Sequence, residues 1–110
     1  MAMRPLSEAD WKYMQRLQPV LLNRLCEKFN TEMVRILQEE DAGTPHERYL
    51  NAFKHMQDAD DIIADCFNDW RRSTLLQKMG FLLHHDLMTS DEYAGLSDET
   101  RAILTLFYAR

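Results

Sequence analysis

Apolar residues recur at spacings of three and four along most of the chain, which is the period of an α-helix. In the first third they are Leu21, Leu22, Leu25, Cys26, Phe29, Met33, Ile36 and Leu37. Upstream of this stretch, Ser7 is a potential N-cap. Glu8 and Asp10 come directly after Ser7, in the first turn, where the helix dipole favours acids. Pro19 lacks an amide donor, so the pattern allows either one kinked helix or a second helix with Pro19 in its first turn.

The start of a central helix is predicted by Thr44-Pro45-His46-Glu47. Thr is a favoured N-cap, Pro suits the first helical position, and Glu at the third completes a capping box. Gly43 before it can adopt the left-handed conformation that ends the preceding helix. The apolar positions of the new helix are Tyr49, Phe53, Met56, Ile63, Phe67 and Trp70. Since these positions share one side of a helix, we expect that side to be buried.

The phase of the apolar pattern changes after Trp70. The next apolar positions are Leu75, Leu76, Met79, Leu82 and Leu83. We favour a break near Asn68 and Asp69, with Asp69 capping a third helix, over one long helix that turns a different face to a different neighbour. Further on, Thr89-Ser90-Asp91-Glu92 predicts a second capping box and a short helix that Gly95 ends, and Ser97 is the expected cap of a last helix.

The predicted fold class is all-α. The chain has only three Gly and three Pro in 110 residues, fewer than an all-β protein needs for its turns. We find no run of alternating polarity that would form a convincing strand. We therefore expect a single domain over residues 1–110, built as a small antiparallel bundle of four to six helices with short loops.

The net charge of -5, from 18 acidic and 13 basic residues, argues against a general binder of nucleic acids or anionic membranes. Cys26 and Cys66 lie far apart among apolar neighbours, which favours two buried thiols over a disulfide. No apolar run reaches signal-peptide length or the ~20 residues of a membrane span. We therefore expect a cytoplasmic protein that is not inserted in a membrane.

Four aspartates of the central helix form a stripe almost opposite its apolar face. They are Asp58, Asp61, Asp65 and Asp69. Such a row could bind a divalent cation or a basic partner, but it is also what the solvated face of an amphipathic helix contains, and we favour the latter. No acid is followed three residues later by His, as di-iron helical bundles require. We therefore expect no metal ligand and no cofactor.

Asp60 is placed differently, because its helical phase lies between Tyr49, Phe53 and Phe67 on the apolar side. A lone buried carboxylate is costly unless it is paired or protonated. Asp60 is therefore predicted to be a buried carboxylate with a partner, such as an Arg, a His or a helix N-terminus, or to lie at the edge of the core.

Arg71 and Arg72 are the densest basic feature beside an aromatic residue, Trp70. Arginine next to an exposed tryptophan would suit contact with nucleic acid or with an acidic protein. Because Trp70 is in phase with the predicted core, ion pairs with a neighbouring helix explain the arginines as well, and nucleic acid is the less expected partner.

We identify no catalytic motif, and the leading hypothesis is a non-enzymatic regulator or accessory factor that acts through protein contacts and self-associates as a dimer. The predicted self-association surface is Leu75, Leu76, Met79, Phe81, Leu82 and Leu83. This helix is apolar on more than one face and so requires two neighbours, the second being either another subunit across a two-fold axis or the terminal helices of its own chain. The alternatives are a metal-assisted hydrolase that uses Asp58, Asp61 or Asp65 with a histidine, and a transcriptional or phage-type regulator that contacts DNA through Arg71 and Arg72.

Overall fold

The computed structural model describes residues 6–40 and 43–108, and these ranges contain five α-helices and no strand. The helices are α1 (Glu8–Gln38), α2 (Pro45–Phe67), α3 (Leu75–His84), α4 (Ser90–Ala94) and α5 (Asp98–Tyr108). The predicted all-α class and the number of helices are confirmed. None of the helices in the described ranges combines the length and apolar content that a bilayer span requires.

Pro19 lies inside α1, which is one continuous helix of 31 residues rather than two helices. Ser7 is its N-cap, as predicted, and the Ser7 side chain accepts a hydrogen bond from the Asp10 amide at 3.2 Å. Buried residues occur on both sides of the proline, at Met14 and Leu21. Contact with the same core before and after Pro19 stabilises the helix despite the missing amide donor.

Both predicted capping boxes are present. Thr44 Oγ1 accepts the Glu47 amide at 3.1 Å and the Glu47 carboxylate accepts the Thr44 amide at 3.4 Å. The corresponding distances between Thr89 and Glu92 are 3.1 and 2.9 Å. Gly43 has a φ of 108°, a positive value that residues with a Cβ rarely adopt, so this glycine permits the turn that leads into α2.

The predicted break after the central helix is confirmed, but the predicted role of Asp69 is wrong. α2 ends at Phe67 and α3 begins at Leu75. Asp69 has a φ of 58° and its carbonyl oxygen accepts a hydrogen bond from Thr74 Oγ1 at 2.6 Å. Its carboxylate lies 2.7 Å from the guanidinium of Arg71. Asp69 therefore stabilises the turn, and α3 starts five residues too late for Asp69 to cap it.

The hydrophobic core lies where α3 meets α1, α2 and α5. We call this region the base and define it as residues 6–25 and 61–108. Its fully buried large side chains are Met14, Leu21, Leu25, Cys66, Leu75, Met79, Leu82 and Leu104. Gly80 lies on the side of α3 that faces the Tyr108 ring of α5, and a Cβ there would overlap the ring. The close approach of α5 to α3 therefore requires the glycine.

The remaining parts of α1 and α2 extend beyond the base as an antiparallel pair, which we call the hairpin (residues 26–40 and 43–60). The molecule measures 52 × 28 × 24 Å and has a radius of gyration of 16.9 Å, whereas a compact chain of this length would have about 13 Å. Among the described hairpin residues, the buried side chains are those of Ala52 and Ala59. The hairpin thus has almost no core of its own.

The predicted burial of one whole side of α2 is wrong for its first half. Tyr49, Phe53 and Met56 are 63%, 52% and 59% exposed, whereas Phe67, on the same side of the helix, is 7% exposed. Phe67 is covered because it lies in the base, next to α3. α3 has only 10 residues against the 23 of α2, so it cannot reach the tip of the hairpin.

Candidate protein-interaction surface

The surface that the sequence predicts for self-association is already covered by the protein's own helices. Its residues Leu75, Leu76, Met79, Leu82 and Leu83 are buried, and Phe81 is partly buried. They belong to one cluster with side chains of α1, α2 and α5. The assignment of these residues to self-association is therefore wrong. The structure instead shows the stated alternative, in which the terminal helices of the same chain pack on them.

Asp60 is exposed rather than buried, so its predicted burial is also wrong. The residue does lie on the apolar side of α2, where it lines a groove together with Phe29, Met33, Phe53 and Met56. This side of α2 is open to solvent in the hairpin because no third helix packs on it. A carboxylate there needs no buried partner.

Among the residues that the structure describes, the buried carboxylate is that of Asp10, which is only 3% exposed. It accepts hydrogen bonds from the Ser97 amide at 3.0 Å, from Ser97 Oγ at 2.7 Å and from Thr100 Oγ1 at 2.7 Å. Burial alone would raise the pKa of Asp10, but these hydrogen bonds outweigh it and lower the pKa below its ordinary value. The carboxylate therefore joins the start of α1 to the start of α5 in its charged form.

Sequence reasoning anticipated only half of this contact. Ser97 was expected to cap the last helix, and its Oγ does accept the Thr100 amide, at 3.3 Å. Asp10 was interpreted only as a first-turn acid of α1. The two residues lie 87 positions apart, and no local pattern in either segment indicates that they meet.

Arg71 and Arg72 both make contacts within the chain. Arg71 pairs with Asp69, two residues earlier. Arg72 Nε donates a hydrogen bond of 2.6 Å to the Leu6 carbonyl, which fastens the start of the described chain to the loop between α2 and α3. The neighbouring Trp70 ring stacks on Phe67 with ring centroids 5.6 Å apart. These contacts give the two arginines a structural role in the base.

The acidic stripe of α2 faces solvent. Asp58, Asp61 and Asp65 are exposed, and Asp58 pairs with Lys54 at 2.9 Å. In the part of the chain that the structure describes, no three His, Cys, Asp or Glu side chains are grouped so that they could hold a metal ion. Both cysteines are free thiols, as expected, but the predicted burial holds for Cys66 alone, since Cys26 is half-buried. Burial raises the pKa of Cys66 to about 11.

A large exposed apolar surface lies instead on one side of the hairpin. We call it the apolar face and define it by residues Cys26, Phe29, Met33 and Leu37 of α1 and Tyr49, Phe53 and Met56 of α2. Phe29, Met33, Phe53 and Met56 line an open groove of about 450 Å³ between the two helices. Leu37 lies four residues beyond Met33 and is 50% exposed. Tyr49 lies four residues before Phe53, which continues the same side of α2 toward the tip.

Polar contacts hold α1 and α2 together beside these apolar side chains, chiefly at His55, which also lines the groove. His55 Nε2 lies 3.3 Å from the Phe29 carbonyl oxygen and 3.6 Å from the Glu32 carboxylate. The His55 ring also meets the Phe29 ring edge-on, with centroids 5.9 Å apart. At the tip, Arg48 donates to the Gly43 carbonyl oxygen at 3.3 Å. The hairpin is therefore fixed by its inner contacts, while its large apolar side chains remain available.

Comparisons with protein-family models, with curated proteins and with solved structures found no match to this chain. Its function has to be argued from its own surfaces. Among the described residues, the apolar face groups four exposed large apolar side chains, those of Leu37, Tyr49, Phe53 and Met56, whereas Leu106 and Phe107 of α5 form a smaller exposed pair.

Proposed function

We propose that this protein is a non-enzymatic interaction protein, a regulator or accessory factor, that binds a protein partner through the apolar face of its hairpin. The observation that supports the proposal is that Tyr49, Phe53 and Met56 are each more than half exposed on one helix side, next to Leu37 on the adjacent helix. Monomeric proteins rarely expose large apolar side chains as one continuous patch, and such patches mark interaction sites.

The composition of the apolar face also suits binding. Aromatic residues and methionines are enriched in protein interfaces, and aromatic side chains often dominate the binding energy. Full burial of a Leu, Phe or Met side chain is worth about 1.5–3 kcal/mol, so covering a half-exposed one would still contribute about 1 kcal/mol. Met33 and Met56 can adapt their shape to a partner. A helical partner would complete the layer that the hairpin lacks.

Site-specific photo-crosslinking in living cells tests this proposal. A photoreactive phenylalanine analogue at Phe53 would lie in the middle of the apolar face. The same analogue at Leu106, which is 76% exposed on α5 in the base, is the matched control. We expect illumination to produce a protein adduct from position 53 and little or none from position 106. Absence of an adduct from position 53, or equal adducts from both, would contradict the proposal.

A charged substitution on the apolar face provides a second test. Met56→Glu in the chain that bears the analogue at Phe53 should reduce the yield of adduct at least tenfold, because burying a carboxylate in an apolar contact is costly. Met56 is largely exposed, so the variant should keep the helical circular dichroism and the melting temperature of the parent. An unchanged yield would show that the adduct does not arise from this face.

A further inference from the structure

We infer that the partner of the apolar face is a second copy of this chain, packed antiparallel to the first around a two-fold axis so that the two hairpins form a four-helix bundle. This inference rests on the function proposed above and specifies its partner. In this arrangement α1 lies on α1 of the second copy and α2 lies on α2, and the two bases lie at opposite ends.

The centre of the apolar face follows from the contacts between α1 and α2. His55 lies level with Phe29 and Glu32, since it contacts both. Phe53 is two residues nearer the tip on α2 and is therefore level with Met33 on α1. Both residues line the groove. A two-fold axis at this level would pass between apolar side chains on both helices.

The side of α2 that bears the apolar face is self-complementary: residues at similar distances before and after Phe53 match each other when two copies pack antiparallel. His46 lies seven residues before Phe53 and Asp60 seven residues after it, so both share its helix side, and both are exposed. Tyr49 and Met56 lie four residues before and three residues after Phe53. In an antiparallel pair, Phe53 meets Phe53 of the second copy, Tyr49 meets Met56, and His46 meets Asp60. Apolar residues thus meet apolar residues, and the acid meets a group that can donate a hydrogen bond or carry a positive charge.

Charge favours this orientation over the other two-fold arrangement. An axis parallel to the helices would place the Asp60 carboxylates of both copies at the same end of the bundle. In the antiparallel arrangement the two carboxylates lie at opposite ends, about 21 Å apart along the helices. Each then approaches a histidine instead of another acid.

The size of the face and the shape of the molecule fit a second copy. The side of α2 that bears the apolar face is about 21 Å long from His46 to Asp60, and two packed helices are about 20 Å wide, dimensions that suit one layer of a four-helix bundle. The radius of gyration of 16.9 Å exceeds the ~13 Å of a compact chain of this length because the hairpin projects from the base. A second hairpin on the apolar face would supply the two further helices that the hairpin lacks for a bundle.

Analytical ultracentrifugation tests the dimer with three variants. We expect the parent to sediment as a dimer at micromolar concentration. Met33→Glu and Phe53→Glu should each raise the dissociation constant at least tenfold while keeping the circular dichroism of the parent, since both side chains are at least partly exposed in one chain. Leu106→Glu, in the base, should remain dimeric. A parent that is monomeric up to several hundred micromolar, or face variants as dimeric as the parent, would overturn the inference.

Cysteine cross-linking tests the antiparallel register in a Cys26→Ser background, since the remaining Cys66 is buried. Phe53→Cys should form a disulfide-linked dimer under mild oxidation, because its two copies meet at the axis. His46→Cys and Asp60→Cys chains should each cross-link poorly alone and efficiently when mixed. Cross-linking of Asp60→Cys with itself, or none from the mixture, would contradict the register.

The adduct from the photoreactive analogue at position 53 separates this inference from the proposed function. An adduct with twice the mass of the chain, containing only its peptides, supports both. An adduct with a different protein, together with a monomeric parent, contradicts self-association and leaves the proposed function standing. Absence of any adduct contradicts both.

Discussion

The base and the hairpin share the helices α1 and α2, yet the same kind of apolar side chain has opposite environments in the two regions. Phe67 is 7% exposed in the base, and Phe53, on the same side of α2, is 52% exposed in the hairpin. The difference arises because α3 and α5 cover the ends of α1 and α2 that lie in the base, and no other element of the described chain packs on the hairpin. An apolar stripe thus identifies the side of a helix that favours burial, whereas whether that side is buried depends on which other helices pack against it.

The polar contacts of the two regions differ in the same way. In the base, the guanidinium of Arg24 binds both carboxylate oxygens of Glu92, at 2.7 and 3.0 Å, and also the Leu87 carbonyl oxygen at 2.8 Å. The hydrogen bonds from Arg24 lower the pKa of Glu92. In the hairpin, the pair of Lys54 and Asp58 joins neighbouring turns of one helix in solvent. The base thus has a bidentate ion pair between distant segments, whereas the hairpin has this local pair beside the His55 contacts with Phe29 and Glu32 that join α1 and α2.

The largest expected difference between the two regions is in the free energy of unfolding that is lost when a methionine is truncated to alanine. Met79 is fully buried in the base and Met56 is 59% exposed in the hairpin. Met79→Ala should lower the free energy of unfolding by about 2–5 kcal/mol, because it leaves a cavity. Met56→Ala should change it by less than about 0.5 kcal/mol. Urea denaturation followed by circular dichroism measures both. Equal losses at a concentration where the protein is monomeric would show that the hairpin is as tightly packed as the base.

Asp10→Asn should destabilise the base by about 2–3 kcal/mol at neutral pH, because the amide cannot accept all the hydrogen bonds that the carboxylate receives from Ser97 and Thr100. The pKa of Asp10 is lowered in the folded protein from an ordinary value of 3.8. Its contribution is therefore fully present above the unfolded-state value and is lost as pH falls through the folded-state pKa.

Urea denaturation of the parent and of Asp10→Asn at neutral pH and near pH 3 measures this contribution. The gap between their unfolding free energies should narrow at the lower pH. Ser97→Ala, which removes one of the donors, is the matched variant and should lose less. A constant gap between the two pH values would mean that the charge of Asp10 does not stabilise the contact.

The two ion pairs provide a smaller contrast. Arg24→Met leaves the partly buried Glu92 carboxylate without its guanidinium and should cost about 1–2 kcal/mol. Lys54→Met removes a fully exposed ion pair, and its effect should lie within the error of a thermal melt. Thermal denaturation of both variants in low and high salt is the measurement. A salt-sensitive loss from Lys54→Met comparable to that from Arg24→Met would contradict the contrast.

The capping boxes provide the smallest and most local test. Thr44→Ala and Thr89→Ala each remove a side-chain acceptor at a helix start, which costs about 1 kcal/mol. We expect the Thr44 variant to speed hydrogen exchange of the first turns of α2 alone, because the hairpin tip has few tertiary contacts. The Thr89 variant should also affect α1, since Glu92 joins both segments. Identical exchange patterns in the two variants would contradict this division.

Local chemistry explains which features could be predicted. The capping boxes at Thr44 and Thr89 and the positive φ of Gly43 depend on residues within a few positions of one another, and all three were predicted correctly. The burial of Asp60 and the assignment of the self-association surface to α3 were predicted wrongly, because both depend on which helices pack against these segments. The contact between Asp10 and Ser97 could not be predicted at all, as it requires the relative placement of α1 and α5.

The sequence by itself determined that this protein is helical, where α1, α2, α4 and α5 start, and which sides of the helices are apolar, because backbone hydrogen bonding and side-chain periodicity act within a few turns. Only the tertiary structure decided that α3 is the centre of the core and that the apolar side of the hairpin is left open. The physical reason is length: α3 and α5, with 10 and 11 residues, cover only one end of α1 and α2, with 31 and 23. Large apolar side chains on the open side of α2 beyond that end, those of Tyr49, Phe53 and Met56, therefore remain exposed.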